Sequence, residues 1–93
     1  MIPFADKGPL QSLDLYNKGI GKVPKAIWRH SELEWLNLAD NGLRSISGEI
    51  GDLVNLTMLD LGHNSLATLP DSLGNLSRLK FLYLSNNRLR SVP

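Results

Sequence analysis

The sequence predicts an α/β solenoid, in which short parallel strands stack into one sheet and a turn or short helix follows each strand. The pattern L-x-x-L-x-L-x-x-(N)-x-(L/I) occurs four times, starting at Leu10, Leu33, Leu56 and Leu79, at equal intervals of 23 residues. A second apolar set repeats at the same interval, at Val23, Ile46, Leu69 and Val92. Three equal intervals do not arise from scattered leucines.

Leucines alternate with other residues inside each block, as in Leu13-Asp14-Leu15. A period of two places the leucines on one face of an extended segment, so each block is predicted to be a strand. One strand and a few further apolar residues cannot bury these leucines within a single unit. Each unit must therefore stack on its neighbours, which places four parallel strands at ~4.8 Å spacing in one sheet.

Prolines punctuate the segments that return from one strand to the next. Pro24 and Pro70 follow the second apolar set, and about ten residues after each are predicted to return as short helical or extended turns. Asp71 or Ser72 is expected to cap such a turn, while Leu73 faces the core.

These features resemble the leucine-rich-repeat family, in the subclass with a 23-residue period and an L-P-x-x-I/L-G-x-L return segment. The resemblance covers residues 10–93 and implies a right-handed curved superhelix. In that fold the parallel sheet lines the concave face, and turns or short 3-10 or α helices line the convex face. Residues 1–9 fit half of a preceding return segment, with Phe4 matching Ile27. We therefore expect a single domain over residues 1–93, with an incomplete last repeat, from a longer protein.

The resemblance also assigns a structural role to the asparagines at one repeated position, Asn41, Asn64 and Asn87. In the family this asparagine is buried and bonds backbone amides that would each cost ~1–3 kcal/mol if left unpaired. Lys18 takes the place in the first repeat. Either Asn17 substitutes for it through a local shift, or this repeat lies near an open end.

The solvent-facing positions of the strands are the candidate binding site, because Trp35, Met58 and Phe81 align there as an apolar ridge. The residues expected to contact a partner on the concave face are Trp35, Met58, Phe81, Asp14, Asn37, Asp60, Tyr83, Tyr16, Asp40, His63 and Asn86. Exposed aromatic residues ringed by polar groups are typical of binding hot spots. The alternative is that these side chains only cover one another, which stabilises a sheet by up to ~1 kcal/mol per pair.

The charged residues near this site indicate the charge of its partner, and Trp28 is a separate unusual feature. Glu34, Asp40 and Asp60 favour a partner with basic groups, whereas Lys80 and Arg88 weaken that trend at the last strand. Trp28 lies on the outer face, where its equivalents are Gly51 and Gly74. It is expected to cover the end of the solenoid near Ile2 and Phe4, and a second contact surface there is the weaker alternative.

Composition and motifs exclude several other classes of function. The net charge is +1 without a basic stripe, which excludes a nucleic-acid partner, and no apolar run is long enough for membrane insertion. The chain has no cysteine, so it has no disulfide and no thiolate chemistry, and a cytoplasmic location is favoured. His30 and His63 are not placed as a metal pair. Asp14 and Asp60, roughly 10 Å apart by strand spacing, lack the cleft of an inverting glycosidase. No catalytic residue, metal or cofactor is predicted.

The leading prediction is a protein-interaction module that binds a macromolecular partner through the concave strand face, and the family resemblance carries much of it. One alternative is a regulatory or substrate-docking segment of a larger enzyme. Another is a segment of an extracellular receptor or adhesion protein, since Asn55-Leu56-Thr57 and Asn75-Leu76-Ser77 are glycosylation sequons. Both asparagines are expected to be exposed.

Overall fold

The computed structural model describes residues 10–90, which form the predicted solenoid around one parallel sheet of four strands in the order β1-β2-β3-β4. The strands are β1 (Ser12–Asp14), β2 (Trp35–Asn37), β3 (Met58–Asp60) and β4 (Phe81–Tyr83). Each strand residue pairs with its counterpart one repeat later, so that Trp35 lies between Ser12 and Met58. The register follows the repeat without a slip. Phe4, Val92 and Pro93 lie outside the described residues.

The return segments contain three 3-10 helices, η1 (Lys25–Arg29), η2 (Gly48–Asp52) and η3 (Asp71–Asn75). Each begins after an extended residue, which is proline in η1 and η3 and Ser47 in η2. The Ser47 hydroxyl accepts a hydrogen bond of 3.1 Å from the Glu49 N–H and caps η2. The prediction that Asp71 or Ser72 caps η3 is wrong, because Pro70 occupies the cap position and η3 has no side-chain cap. The Ser72 hydroxyl instead donates to the Gly48 carbonyl, at 2.6 Å.

The core lies between the sheet and the 3-10 helices, and each of the four strands and three helices contributes a leucine or an isoleucine. Leu36 and Leu59 from the strands are fully buried, as are Ile27 and Ile50 from η1 and η2. Burial declines in the fourth repeat, where Leu82 and Leu84 are only half-buried.

Asparagine side chains connect successive repeats where the chain turns off each strand. Asn64 is buried, and its Oδ1 accepts hydrogen bonds of 3.0 Å from the N–H groups of Asn41 and Leu43. Its Nδ2 donates to the carbonyl oxygens of Leu38, Leu61 and Gly62. The asparagine side chain therefore bonds backbone groups of its own turn and of the preceding turn. Buried backbone N–H and C=O groups need such partners.

Asn41 makes the equivalent contacts with the first repeat, where its Oδ1 accepts from the backbone N–H of Lys18 at 2.9 Å and of Ile20 at 3.3 Å. The Lys18 side chain is exposed. Asn17 does not take over the structural role of the repeated asparagine, because it is exposed and has a positive φ of 52°. It shares that left-handed conformation with its equivalents Asp40, His63 and Asn86. These are residue types that tolerate a positive φ, because a short polar side chain lowers its cost.

Candidate protein-binding face

The candidate site is the solvent-facing side of the sheet together with the first residues after each strand, which we call the strand face. Its first column consists of Ser12, Trp35, Met58 and Phe81, which are direct neighbours across the four strands. Trp35 is 36% exposed and Phe81 is 54% exposed, whereas Met58 is only 9% exposed. The expectation of an exposed ridge that includes Met58 is therefore wrong. Met58 has a bulky aromatic neighbour on each side, whereas Trp35 has the small Ser12 on one side.

The second column shows a structural role that the sequence analysis missed. In β1, β2 and β3, a side-chain Oδ1 accepts a hydrogen bond from the N–H two residues later: Asp14 from Tyr16 at 3.0 Å, Asn37 from Ala39 at 2.9 Å, and Asp60 from Gly62 at 2.9 Å. Asp and Asn often accept a hydrogen bond from the backbone N–H two residues later, so these residue types could have predicted the role. The Oδ1 atom of each side chain is committed to the fold. The second carboxylate oxygen of Asp14 and Asp60, and the Nδ2 of Asn37, are left to contact a partner.

Tyr16 and Tyr83 stand at opposite edges of the strand face and are 51% and 49% exposed. The surface between them is low, because Ala39 and Gly62 follow β2 and β3 and both are buried. A side chain at position 62 would crowd the Asp60 Oδ1, 3.1 Å from an added Cβ. The two tyrosines thus flank a shallow floor of small residues.

The charged residues of the strand face change sign across the sheet. Asp14, Glu34 and Asp40 are exposed in the first and second repeats, and Asp60 is half-buried in the third. Lys80 and Arg88 are exposed in the fourth repeat. Beside this boundary, the Asn86 Nδ2 lies 3.2 Å from the His63 Nδ1, and both residues are exposed. The face therefore offers carboxylates to a partner over three of its four repeats.

Trp28 does not form an exposed surface, because it is only 4% exposed and belongs to the hydrophobic core. The expected cover over Ile2 and Phe4 lies outside the described residues.

His30 is half-buried in the return segment, and His63 is exposed on the strand face. Residues 10–90 contain no group of three or more His, Asp or Glu that could hold a metal ion. No helix in the same residues is long and apolar enough to cross a membrane.

The two sequon asparagines differ in their surroundings. Asn75 is exposed, as expected, at the end of η3. Asn55 is half-buried, and the expectation of exposure is wrong for it because it bonds both neighbouring repeats. Its Nδ2 donates to the Ser31 carbonyl at 2.9 Å, and its Oδ1 accepts from the Arg78 Nη1 at 3.0 Å.

Comparison with known proteins agrees with this architecture. A family model described as "Leucine rich repeat" matches residues 8–66 and 31–89, which together span most of the chain. The chain belongs to the leucine-rich-repeat family. Among solved structures, it is similar to a leucine-rich-repeat protein of Leptospira interrogans, with 33% sequence identity and a TM-score of 0.77. That similarity covers 87% of this chain and 26% of the Leptospira protein, so this chain spans about a quarter of its length. No curated protein matches the chain at a significant level.

Proposed function

We propose that this leucine-rich-repeat chain is a protein-interaction module rather than an enzyme, and that it binds its partner through the strand face. Leucine-rich-repeat domains generally mediate protein–protein interaction, which supports the coarse part of the proposal. The observation that carries the finer part is the distribution of exposed apolar side chains. Five large ones are exposed in residues 10–90, and four of them, Tyr16, Trp35, Phe81 and Tyr83, lie on the strand face. Aromatic residues at this density are typical of binding hot spots.

The size of the strand face limits what this chain contributes to binding. Four strands at ~4.8 Å spacing span roughly 15–20 Å, so the face offers a few hundred Å², below the ~800 Å² per partner of a standard interface. We therefore propose that the partner also contacts the adjoining turns, or that further repeats of a parent protein extend the surface. The aromatic residues supply most of the affinity in either case.

The test is a comparison of affinities for a partner isolated with the wild-type protein. Trp35→Ala and Phe81→Ala should each cost ~2 kcal/mol or more of binding, a loss of about 30-fold in affinity. Val54→Ala is the matched control, because Val54 is also a large exposed apolar residue, 48% exposed, but lies outside the strand face. Arg78→Ala is a second control on the outer side.

The result that would overturn the site is loss of binding in Val54→Ala or Arg78→Ala with normal binding in both aromatic variants. Folding is checked in the same proteins. Phe81→Ala should cost much less stability than Leu59→Ala, which removes a fully buried side chain and should cost ~2–5 kcal/mol.

The carboxylates of the strand face support the proposal that the partner carries basic groups. Affinity should then fall as ionic strength rises, and Asp40→Asn should weaken binding while Lys80→Gln strengthens it. Asp40 and Lys80 are both exposed, so neither change disturbs the core. Equal affinities for wild type and Asp40→Asn at low salt would contradict a basic partner.

An extracellular receptor or adhesion segment is the second candidate, favoured by the exposed sequon at Asn75. Secretion from a eukaryotic cell should then attach a glycan to Asn75, seen as a mobility shift that deglycosylation and Asn75→Gln both remove. An unshifted protein would leave the cytoplasmic location as the proposal. The enzyme-docking alternative is tested by the sequence that flanks this chain in its gene.

A further inference from the structure

The outer side of the solenoid is packed differently at its first and second repeat intervals. Gly51 lies so close to η3 that an added Cβ would be 2.7 Å from the Ser72 Cβ and 2.9 Å from the Ser72 carbonyl oxygen. Trp28 occupies the equivalent position in η1, where its indole cannot fit such a contact. Accordingly, η1 lies less closely against η2 than η2 lies against η3.

A cavity of about 150 Å³ lies beside Trp28 in the wider interval. It is lined by Lys22, Val23, Trp28, Ser45, Ile46 and Ser47. The apolar members are buried, and the lysine and the serines are exposed, so the cavity has an apolar wall and a polar rim. A cavity of this volume has room for a molecule about the size of benzene.

The rim of the cavity is positively charged. Among residues 10–90 no ion pair of Lys22 is seen, and Lys22 belongs to a stretch, residues 15–31, with four basic residues and no acidic one. The Glu49 carboxylate lies beside the rim, because its Oε1 is 3.4 Å from the hydroxyl of the lining residue Ser47. The rim therefore carries the Lys22 ammonium, with the Glu49 carboxylate as a competing anion, and the Ser45 hydroxyl is a further donor.

We propose that this cavity binds a small apolar monocarboxylate of about the size of benzoate. The ring lies against Val23, Ile46 and the accessible edge of Trp28, and the carboxylate pairs with Lys22 and accepts a hydrogen bond from Ser45. A lone surface cation binds any anion weakly, whereas an apolar wall beside it selects an acid with an apolar body. The proposal is independent of the strand face, because none of the residues that line the cavity belongs to that face.

Trp28 provides the signal for the test, because the chain has only two tryptophans. In a Trp35→Phe background, titration with sodium benzoate at constant ionic strength should give a saturable change in Trp28 fluorescence. Lys22→Gln should weaken the apparent affinity by about fivefold or more, as loss of a charge-assisted hydrogen bond requires. Lys25→Gln is the matched control, since it removes a neighbouring cation that does not line the cavity. It should change the affinity by less than about twofold, the effect expected of a screened distant charge.

Two further changes test the walls and the competing anion. Ser45→Leu should fill the cavity and abolish the change, whereas Thr68→Leu, at the equivalent position one repeat later, should leave it intact. Glu49→Gln should strengthen benzoate binding. Circular dichroism confirms that each variant is folded.

Several outcomes would each overturn the proposal. The first is a fluorescence change that is absent or does not saturate. The second is equal weakening by Lys22→Gln and Lys25→Gln, which would indicate ions held only by the general positive field. The third is undiminished binding in Ser45→Leu. The last is equal affinity for benzyl alcohol, which has the ring but no charge.

Discussion

Replacing Asn64 with leucine should remove far more stability than replacing an exposed asparagine. The Asn64 Oδ1 accepts two backbone N–H groups, those of Asn41 and Leu43, both at 3.0 Å in a site that is 8% exposed. Leucine has a similar volume and leaves no cavity, so the cost comes from two buried donors without an acceptor. At ~1–3 kcal/mol per unpaired donor, the loss is about 2–6 kcal/mol.

The measurement is urea unfolding, in which a loss of about 2 kcal/mol lowers the midpoint by roughly 1–2 M for a small protein. Asn75→Leu is the control, because Asn75 is exposed and no side-chain hydrogen bond of it is seen in the described part of the chain; it should shift stability by less than ~0.5 kcal/mol. Asn86 is a poorer control, since leucine at its φ of 59° would itself cost ~1–2 kcal/mol. Asn87→Leu should fall between the two, because Asn87 is half-buried and accepts from Leu66 N–H alone among residues 10–90. Equal midpoints for Asn64→Leu and Asn75→Leu would refute the reasoning.

Two further changes test local packing and the turns after the strands. Gly51→Ala should destabilise the protein by ~1–3 kcal/mol, because its Cβ would meet Ser72 at 2.7 Å. Gly74→Ala, with no atom within 4 Å of the added Cβ, should be neutral or stabilising by up to ~1 kcal/mol, and thermal melts that rank the two glycine variants alike would contradict this packing. Asp60→Ala should cost ~1 kcal/mol in the unfolding assay because the Gly62 N–H loses its acceptor, whereas Asp60→Asn keeps that acceptor. A loss of stability as large in Asp60→Asn as in Asp60→Ala would show that the hydrogen bond is not the cause.

The repeat period alone was sufficient to predict the sheet and its register. Leucines every 23 residues place Trp35 beside Met58 and Phe81, and the strands pair in that way. A fixed interval determines which residues are neighbours, because every strand begins at the same point of its repeat.

Exposure was harder to predict than position, because it depends on the size of the neighbours. Met58 and Trp35 occupy the same column, yet Met58 lies between two aromatic residues and Trp35 beside a serine. Trp28 was assigned to the outer face from its glycine equivalents, although an indole in place of a hydrogen atom must widen the interval or turn into it. Predicting such exposures requires the volumes of side chains in neighbouring repeats, and the repeat pattern alone does not give them.

A side-chain cap was predicted for η3 at Asp71 or Ser72, but the cap lies one repeat earlier, at the start of η2. Ser47 stands where the other return segments have proline, and its hydroxyl caps η2. Prolines at 24 and 70 fix their own extended conformation and present no side-chain acceptor. Comparing the three segments for their differences, rather than their consensus, would have found the cap.

The left-handed turn residues limit how this surface can be redesigned. Asn17, Asp40, His63 and Asn86 are exposed, yet their backbone conformation, with φ between 52° and 59°, disfavours β-branched and bulky side chains. A combinatorial library built on this scaffold should therefore use two different sets of allowed residues at the exposed positions. Positions 12, 35 and 81 can be varied over all residue types, whereas the four turn positions should be restricted to asparagine, aspartate, histidine and glycine. Full randomisation of the turn positions would fill the library with clones that fold poorly before any target is presented.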